Sequence, residues 1–182
     1  MPVPPEDRLL KGREMVAALR RHARTALQQA CRISGKALGS LEKNTAGAPL
    51  PSNGLYWSVT HKPDNVAAVV APRPVGIDIE ALRPCNPSLH RRIADEQEWA
   101  LAPERSDRFF FRFWTAKEAV LKAVGTGLTG LERCRIQKIV DDTYISLTYD
   151  GTSWLVNQCW TQDRHLLAVT MSAEMVKWHV VN

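Results

Sequence analysis

The chain has 182 residues, 45% of them hydrophobic and 24% charged, with a formal net charge of +5. This is a globular composition with room for one domain or two small lobes, and no apolar run approaches the ~18 residues of a membrane span. The positive balance suits anionic partners (nucleotides, nucleic acid or an acidic protein) without choosing among them.

In chain order, residues 6–31 carry Leu9, Leu10, Val16, Leu19, Ala23 and Leu27 near helical spacing, with an Arg-rich opposite face, and are expected to form a helix. Residues 34–54, with Gly, Pro, Ser and Asn, read as loop. LYWSVTH and NVAAVVA flank K-P-D-N as a hairpin, and PRPVGIDIE follows as a third strand. NPSLHRRIADEQEWALAPE is expected to be one helix closed near Pro103, and residues 107–125 another. After Gly130, RCRIQKIV, TYISLTYD, SWLVNQCW and HLLAVTMSA alternate between turns such as D-D and D-G, as an antiparallel meander does. Helices interleaved with antiparallel strands predict an α+β fold. Each half runs helix then strands, which predicts two lobes with a boundary at A-P-R-P, near residues 71–74.

The N-terminus lacks the apolar core of a secretory signal. Cys31, Cys85, Cys134 and Cys159 are widely spaced with no C-x-x-C pair. A zinc site or redox dithiol is therefore not expected, and reduced thiols in a cytoplasm are.

Three stretches carry chemistry. The first is FWTAKEAVLKAVGTGL, residues 113–128. At about 100° per residue, Phe109, Phe113, Ala116, Val120 and Val124 form an apolar arc, and Glu118 and Lys122 fall together one turn apart. From the wheel alone that pair reads first as a surface ion pair, with site residues as the alternative. Lys117 falls inside the apolar arc, where a snorkelling stem or an anionic ligand at a lobe interface would account for it. Gly125 and Gly127 suit a C-cap and a close approach to a ligand.

The second stretch is VGIDIE. Strand alternation puts Gly76, Asp78 and Glu80 on one face, with the two carboxylates about 7 Å apart. They read either as incidental acids on a wet face or as ligands of a hard divalent cation, with Glu118 as a third. Metal, carboxylate and Lys122 together make a kit for phosphate chemistry. In the third stretch, LYWSVTHK, Thr60, His61 and Lys62 offer donors to a phosphate, although a lone His is more often structural.

The order T-H, G-I-D-I-E, then F-W-x-x-K-E-A-x-x-K-x-x-G-x-G-L resembles the 4′-phosphopantetheinyl transferases. The match runs through Gly76-Ile77-Asp78-Ile79-Glu80 and through Phe113, Trp114, Lys117, Glu118, Ala119, Lys122, Gly125, Gly127 and Leu128. It is firm over about residues 55–130 and softer outside them, and the paired acids of D-I-E resemble the surfactin-type, two-lobe subclass. The resemblance implies two pseudo-symmetric lobes of antiparallel sheet packed with helices. These are a shortened N-terminal lobe over 1–72 and a C-terminal lobe over 73–182 that carries the metal and catalytic motifs.

The resemblance also implies Mg²⁺-dependent transfer of the 4′-phosphopantetheine arm of coenzyme A to a serine of an apo carrier protein (acyl, polyketide or peptidyl), releasing adenosine 3′,5′-bisphosphate. Asp78, Glu80 and Glu118 would hold the metal, Glu118 would take the serine proton, and Lys122 would offset charge on the leaving oxygen. Thr60, His61, Lys43, Arg13 and Lys117 would serve coenzyme A or the cleft that holds it, and Leu89, Ile93 and Trp99 are the expected receiving surface for the carrier. The enzyme would be cytoplasmic, a monomer or homodimer, with neither a nucleic-acid nor a membrane partner. Two positions depart from the family pattern: Ala48 stands where G-K-P is usual, and Thr60 replaces the usual serine before the histidine. A non-catalytic coenzyme A or carrier-binding module is the alternative of another class. A metal-dependent nuclease fits less well, because Glu118 and Lys122 are i,i+4 on a helix rather than i,i+2 on a strand.

Overall fold

The structure is a computed structural model and describes residues 1–171 and 176–181. The expected first helix is two: α1 (Pro5–Arg8) and α2 (Gly12–Ser34). Gly12 adopts φ 56°, which breaks the helical path between them. Leu9 and Val16 are consequently exposed, while Ala18, Leu19, Ala23 and Leu27 form the buried stripe of α2.

β1 (Tyr56–His61) and β2 (Val66–Ala71) make the expected antiparallel hairpin, with Thr60 opposite Ala67. β3 (Ile77–Ala81) is a strand of a different sheet. It begins a five-stranded antiparallel sheet, in the order β3-β7-β6-β5-β4, with β4 (Cys134–Ile139), β5 (Tyr144–Tyr149), β6 (Thr152–Trp160) and β7 (His165–Thr170). The last four form the expected meander; Ser172 and Ala173, included in the last predicted strand, lie outside the described residues. The D-G turn is built as predicted, with Asp150 at φ 46° and Gly151 at φ 77°.

The segment expected as one helix over 86–104 contains two short helices, α3 (Pro87–Ile93) and α4 (Glu96–Trp99). Ala94 is extended, and Asp95 and Glu98 form a reciprocal capping box that restarts the chain. The D-x-x-E signature of that restart lies inside an otherwise continuous periodic pattern. Ile93 and Trp99 are buried, at 4% and 5% exposure. They pack in the core with Phe110 and Phe113, so they do not form the carrier-receiving surface expected of them, whereas Leu89 is exposed.

α5 (Asp107–Val124) lies across the five-stranded sheet, with Phe113, Ala116, Val120 and Leu121 buried against Ile145, Leu147, Val156 and Leu166. Burial of these side chains supplies most of the drive for the docking. It ends where predicted, at Gly125 in the left-handed conformation. β3 lies hard against it: a Cβ at Gly76 would come within 1.9 Å of the Ala119 carbonyl oxygen. Only glycine permits this approach, and it sets the acids of β3 beside the polar edge of α5. Among the described residues no helix is long and apolar enough to cross a membrane.

Candidate active site

The site is assembled from β1, β3 and α5. β1 joins β3 through side chains: the Ile77 amide donates to Ser58 Oγ at 3.2 Å, and Thr60 Oγ1 donates to Asp78 Oδ1 at 3.2 Å. The Lys122 ammonium reaches across from α5 to Asp78 Oδ1 at 2.6 Å, the Ile77 carbonyl at 3.1 Å and Thr60 Oγ1 at 3.2 Å. The simple i,i+4 ion pair between Glu118 and Lys122 is thus replaced by a tertiary one. Among the described residues no cation pairs with Glu118.

Asp78 and Glu80 are both buried, at 5% and 6% exposure, which rules out a wet strand face. Glu80 Oε1 is held by Lys62 Nζ at 2.7 Å and accepts from Trp114 Nε1 at 2.9 Å. Among the described residues, Asp78 Oδ2 and Glu80 Oε2 are buried without a hydrogen-bond donor, and the Arg83 guanidinium comes only within 3.6 Å of Glu80 Oε2. Burial pushes the Asp78 carboxyl above its ordinary range, against the pull of Lys122. Burial likewise raises Glu118, and the negative charges of Asp78 and Glu80 add to the effect. A buried, mutually repelling group of oxygen ligands with unpartnered lone pairs suits a hard divalent cation such as Mg²⁺. Among the described residues the three carboxylates do not close to a tight cage; Lys122 holds Asp78, and Lys62 and Arg83 hold Glu80.

His61 ends β1 at an exposed position. Burial lowers its pKa, and so do the charges of Lys122, Lys62 and Arg20. It stands among cations, as a phosphate-binding imidazole does. Arg20, from α2, was not singled out by sequence reasoning. It lies seven residues, about two turns, beyond Arg13 and so on the same helical face, which was the available signal. Arg13 is exposed and remains a candidate only by position.

A cavity of about 240 Å³ opens beside this cluster, lined by Lys43, Gly47, Ala48, Pro49, Ser58, Lys122, Gly125 and Gly127. The loop that carries Lys43 and the Gly47-Ala48-Pro49 variant of the family pattern thus faces the end of α5. The open left-handed glycines leave that wall without side chains.

Lys117 does not join the group. It is 2% exposed, and its ammonium donates to the Ile93 carbonyl at 2.6 Å and pairs with Glu98 Oε1 at 2.7 Å. Its place on the apolar arc is therefore explained by a buried ion pair rather than by an anionic ligand. Glu98 is itself satisfied by the Ile136 amide at 2.7 Å and, through its other oxygen, by the Asp95 amide at 3.2 Å.

A sequence model of the 4′-phosphopantetheinyl transferase superfamily matches residues 74–170. The chain is 38% identical over 102 residues to the 4′-phosphopantetheinyl transferase HetI of Nostoc sp., an alignment covering 52% of this chain and 43% of that protein. It is 36% identical over 78 residues to the 4′-phosphopantetheinyl transferase psf-1 of Bacillus pumilus, covering 41% and 34%. It is 27% identical over 78 residues to the 4′-phosphopantetheinyl transferase Sfp of Bacillus subtilis, covering 41% and 35%. The aligned part spans less than half the length of each of these relatives.

Proposed function

The chain belongs to the 4′-phosphopantetheinyl transferase superfamily, and on that premise we propose that it moves the 4′-phosphopantetheine arm of coenzyme A onto a serine of an apo carrier protein. The observation that carries the reading is the convergence of Asp78, Glu80, Glu118 and Lys122, two of whose buried carboxylate oxygens lack hydrogen-bond donors among the described residues. Bound Mg²⁺, held by Asp78, Glu80 and Glu118, would neutralise pyrophosphate charge.

The serine oxygen bonds to the phosphorus that carries the pantetheine arm. The bond from that phosphorus to the bridging oxygen breaks, and adenosine 3′,5′-bisphosphate leaves. Glu118 accepts the serine proton, directly or through a water, aided by a pKa that burial raises. Lys122 turns from Asp78 to the pyrophosphate and offsets charge on the leaving oxygen. Thr60 and His61 bind phosphate, with Lys62 and Arg20 adding positive potential around His61. Lys43, which lines the cavity, would bind the nucleotide, and Arg13 extends the basic face of α2. Positioning and charge neutralisation dominate such phosphoryl transfers. The net charge of +5 favours encounter with a polyanionic substrate and an acidic carrier.

The same reading takes residues 1–72 as a reduced N-terminal lobe and 73–182 as the C-terminal lobe. The separation of the two-stranded from the five-stranded sheet supports that division. Four free cysteines support a cytoplasmic setting. The active unit is a monomer or a homodimer.

The test is intact-mass analysis of apo carrier proteins after incubation with the protein, coenzyme A and Mg²⁺, beside a chelator control. The expected outcome is a gain of one phosphopantetheine arm that the chelator abolishes. Bound coenzyme A without any gain would instead favour a non-catalytic binding module.

A further inference from the structure

Outside this site, among the described residues, one group brings ligand atoms from three metal-ligating side chains within 4.8 Å of one another: Cys85, His90 and Asp107. Sequence spacing hides it, because the residues come from the segment after β3, from α3 and from the first turn of α5. Cys85 Sγ lies 3.3 Å from His90 Nε2 and donates to Asp107 Oδ1 at 2.8 Å, and His90 Nε2 is 3.6 Å from the same oxygen. A tetrahedral zinc ion with bonds of about 2.0–2.3 Å separates its ligand atoms by about 3.5 Å. Two of the three edges are therefore already close to that spacing, and the third opens by a small rotation of Asp107.

The imidazole is fixed in direction. It stacks between Trp99 at 5.2 Å and Phe110 at 5.1 Å, and the Trp99 indole donates to the His90 carbonyl at 3.0 Å. The same ring nitrogen faces both the thiol and the carboxylate, so the arrangement is not a relay triad, in which the acid would hold the other nitrogen. It is a convergent one, with all three groups aimed at a common point. His90 is buried while Asp107 is 38% exposed, which leaves a solvent side for a fourth ligand.

We propose that Cys85, His90 and Asp107 form a zinc-binding site with an open fourth position, distinct from the carboxylate site of β3 and α5. A thiolate, an imidazole and a carboxylate select Zn²⁺ over Mg²⁺. The ion would clamp the segment leaving β3 to the start of α5, the two elements that carry Asp78, Glu80, Glu118 and Lys122. Its neighbourhood contains Arg83, whose charge favours the thiolate, and Asp107, whose charge opposes it. Burial and Asp107 push the free thiol up to about 12, so metal binding releases the Cys85 proton to solvent.

The experiment titrates chelator-treated protein with Co²⁺ and then Zn²⁺, with Mg²⁺ in excess to occupy the carboxylate site. The expected result is one Co²⁺ per chain with a thiolate charge-transfer band, release of about one proton per metal, and loss of the band when Zn²⁺ is added. Cys85→Ser should abolish the band, and His90→Asn should weaken binding at least tenfold. Native mass spectrometry of the unaltered protein in excess Mg²⁺ should show one Zn²⁺ bound per chain, a readout that does not depend on either variant folding. No thiolate band, a band that survives Cys85→Ser, or no Zn²⁺ retained in the native mass overturns the proposal. None of these readouts depends on transfer activity.

Discussion

Glu118 is the side chain on which the proposed chemistry turns. It is half-buried and has no ion-pair partner among the described residues, and its carboxyl is held above its ordinary range by burial and by the neighbouring acids. Removing it relieves repulsion rather than breaking a contact. Glu118→Ala should therefore lower transfer by at least about 10²-fold while the thermal midpoint stays level or rises. Near-normal turnover would refute its role as base and ligand.

His61 yields a second expectation. Its pKa is lowered by burial first and then by Lys122, Lys62 and Arg20, so a bound phosphate should raise it and draw in a proton. Affinity for adenosine 3′,5′-bisphosphate should strengthen as pH falls through the raised value and level off below the lowered one. His61→Ala should remove that component when the two pH profiles are compared by calorimetry.

Within α5, two lysines five residues apart have opposite fates. Lys122 sits at the helix edge, 30% exposed and within reach of β3; Lys117 points into the packed side and meets Glu98. Helical periodicity located both, but it could not say that α4 would bring a carboxylate to Lys117. Lys117→Met keeps the volume but removes one half of a buried pair. The cost should be about 3 kcal/mol in urea unfolding, at the low end for such pairs, because the Ile136 and Asp95 amides still satisfy Glu98. Coenzyme A affinity of the folded protein should not change. A large loss of affinity with unchanged stability would return Lys117 to the binding site. The split of the 86–104 segment is a similar case, since an extended Ala94 and a capping box interrupt a pattern that periodicity alone reads as continuous.

Across the molecule, the β1–β2 hairpin is tied to the five-stranded sheet at a second place, where its turn meets the start of β7. Asn65 Nδ2 donates to Asp163 Oδ2 at 3.0 Å, while His165 contacts Asp64 at 3.1 Å and Asp163 at 3.4 Å. A hydrogen bond from Thr161, then Asn65 and the charge of His165, hold the Asp163 carboxyl at about 2, against 3.8 for a free aspartate. The stabilisation is present above about pH 4 and is lost as pH falls toward 2. Because Asp163 is 59% exposed, it should amount to less than about 1 kcal/mol. Asp163→Asn should accordingly unfold at a lower temperature than the parent near neutrality, and the difference should vanish near pH 2. A gap that persists at pH 2 would rule out the carboxylate as its source.

Periodicity and turn chemistry, being local, were enough to read the hairpin, the meander, α5 with its Gly125 cap, the placing of Asp78 and Glu80 on one strand face, and that of Glu118 and Lys122 one helical turn apart. Each of those signals depends on residues a few positions apart. What the side chains meet is a matter of long-range packing. Gly76 lets β3 touch α5, which exchanges the local Glu118–Lys122 pair for Lys122 with Asp78 and buries both acids of D-I-E. The same packing carries Lys117 to Glu98, brings Arg20 toward His61, and draws Cys85, His90 and Asp107 to one point from three elements. Such partners are separated by tens of residues along the chain, and no sequence period encodes a contact that forms only when strand, hairpin and helix have docked.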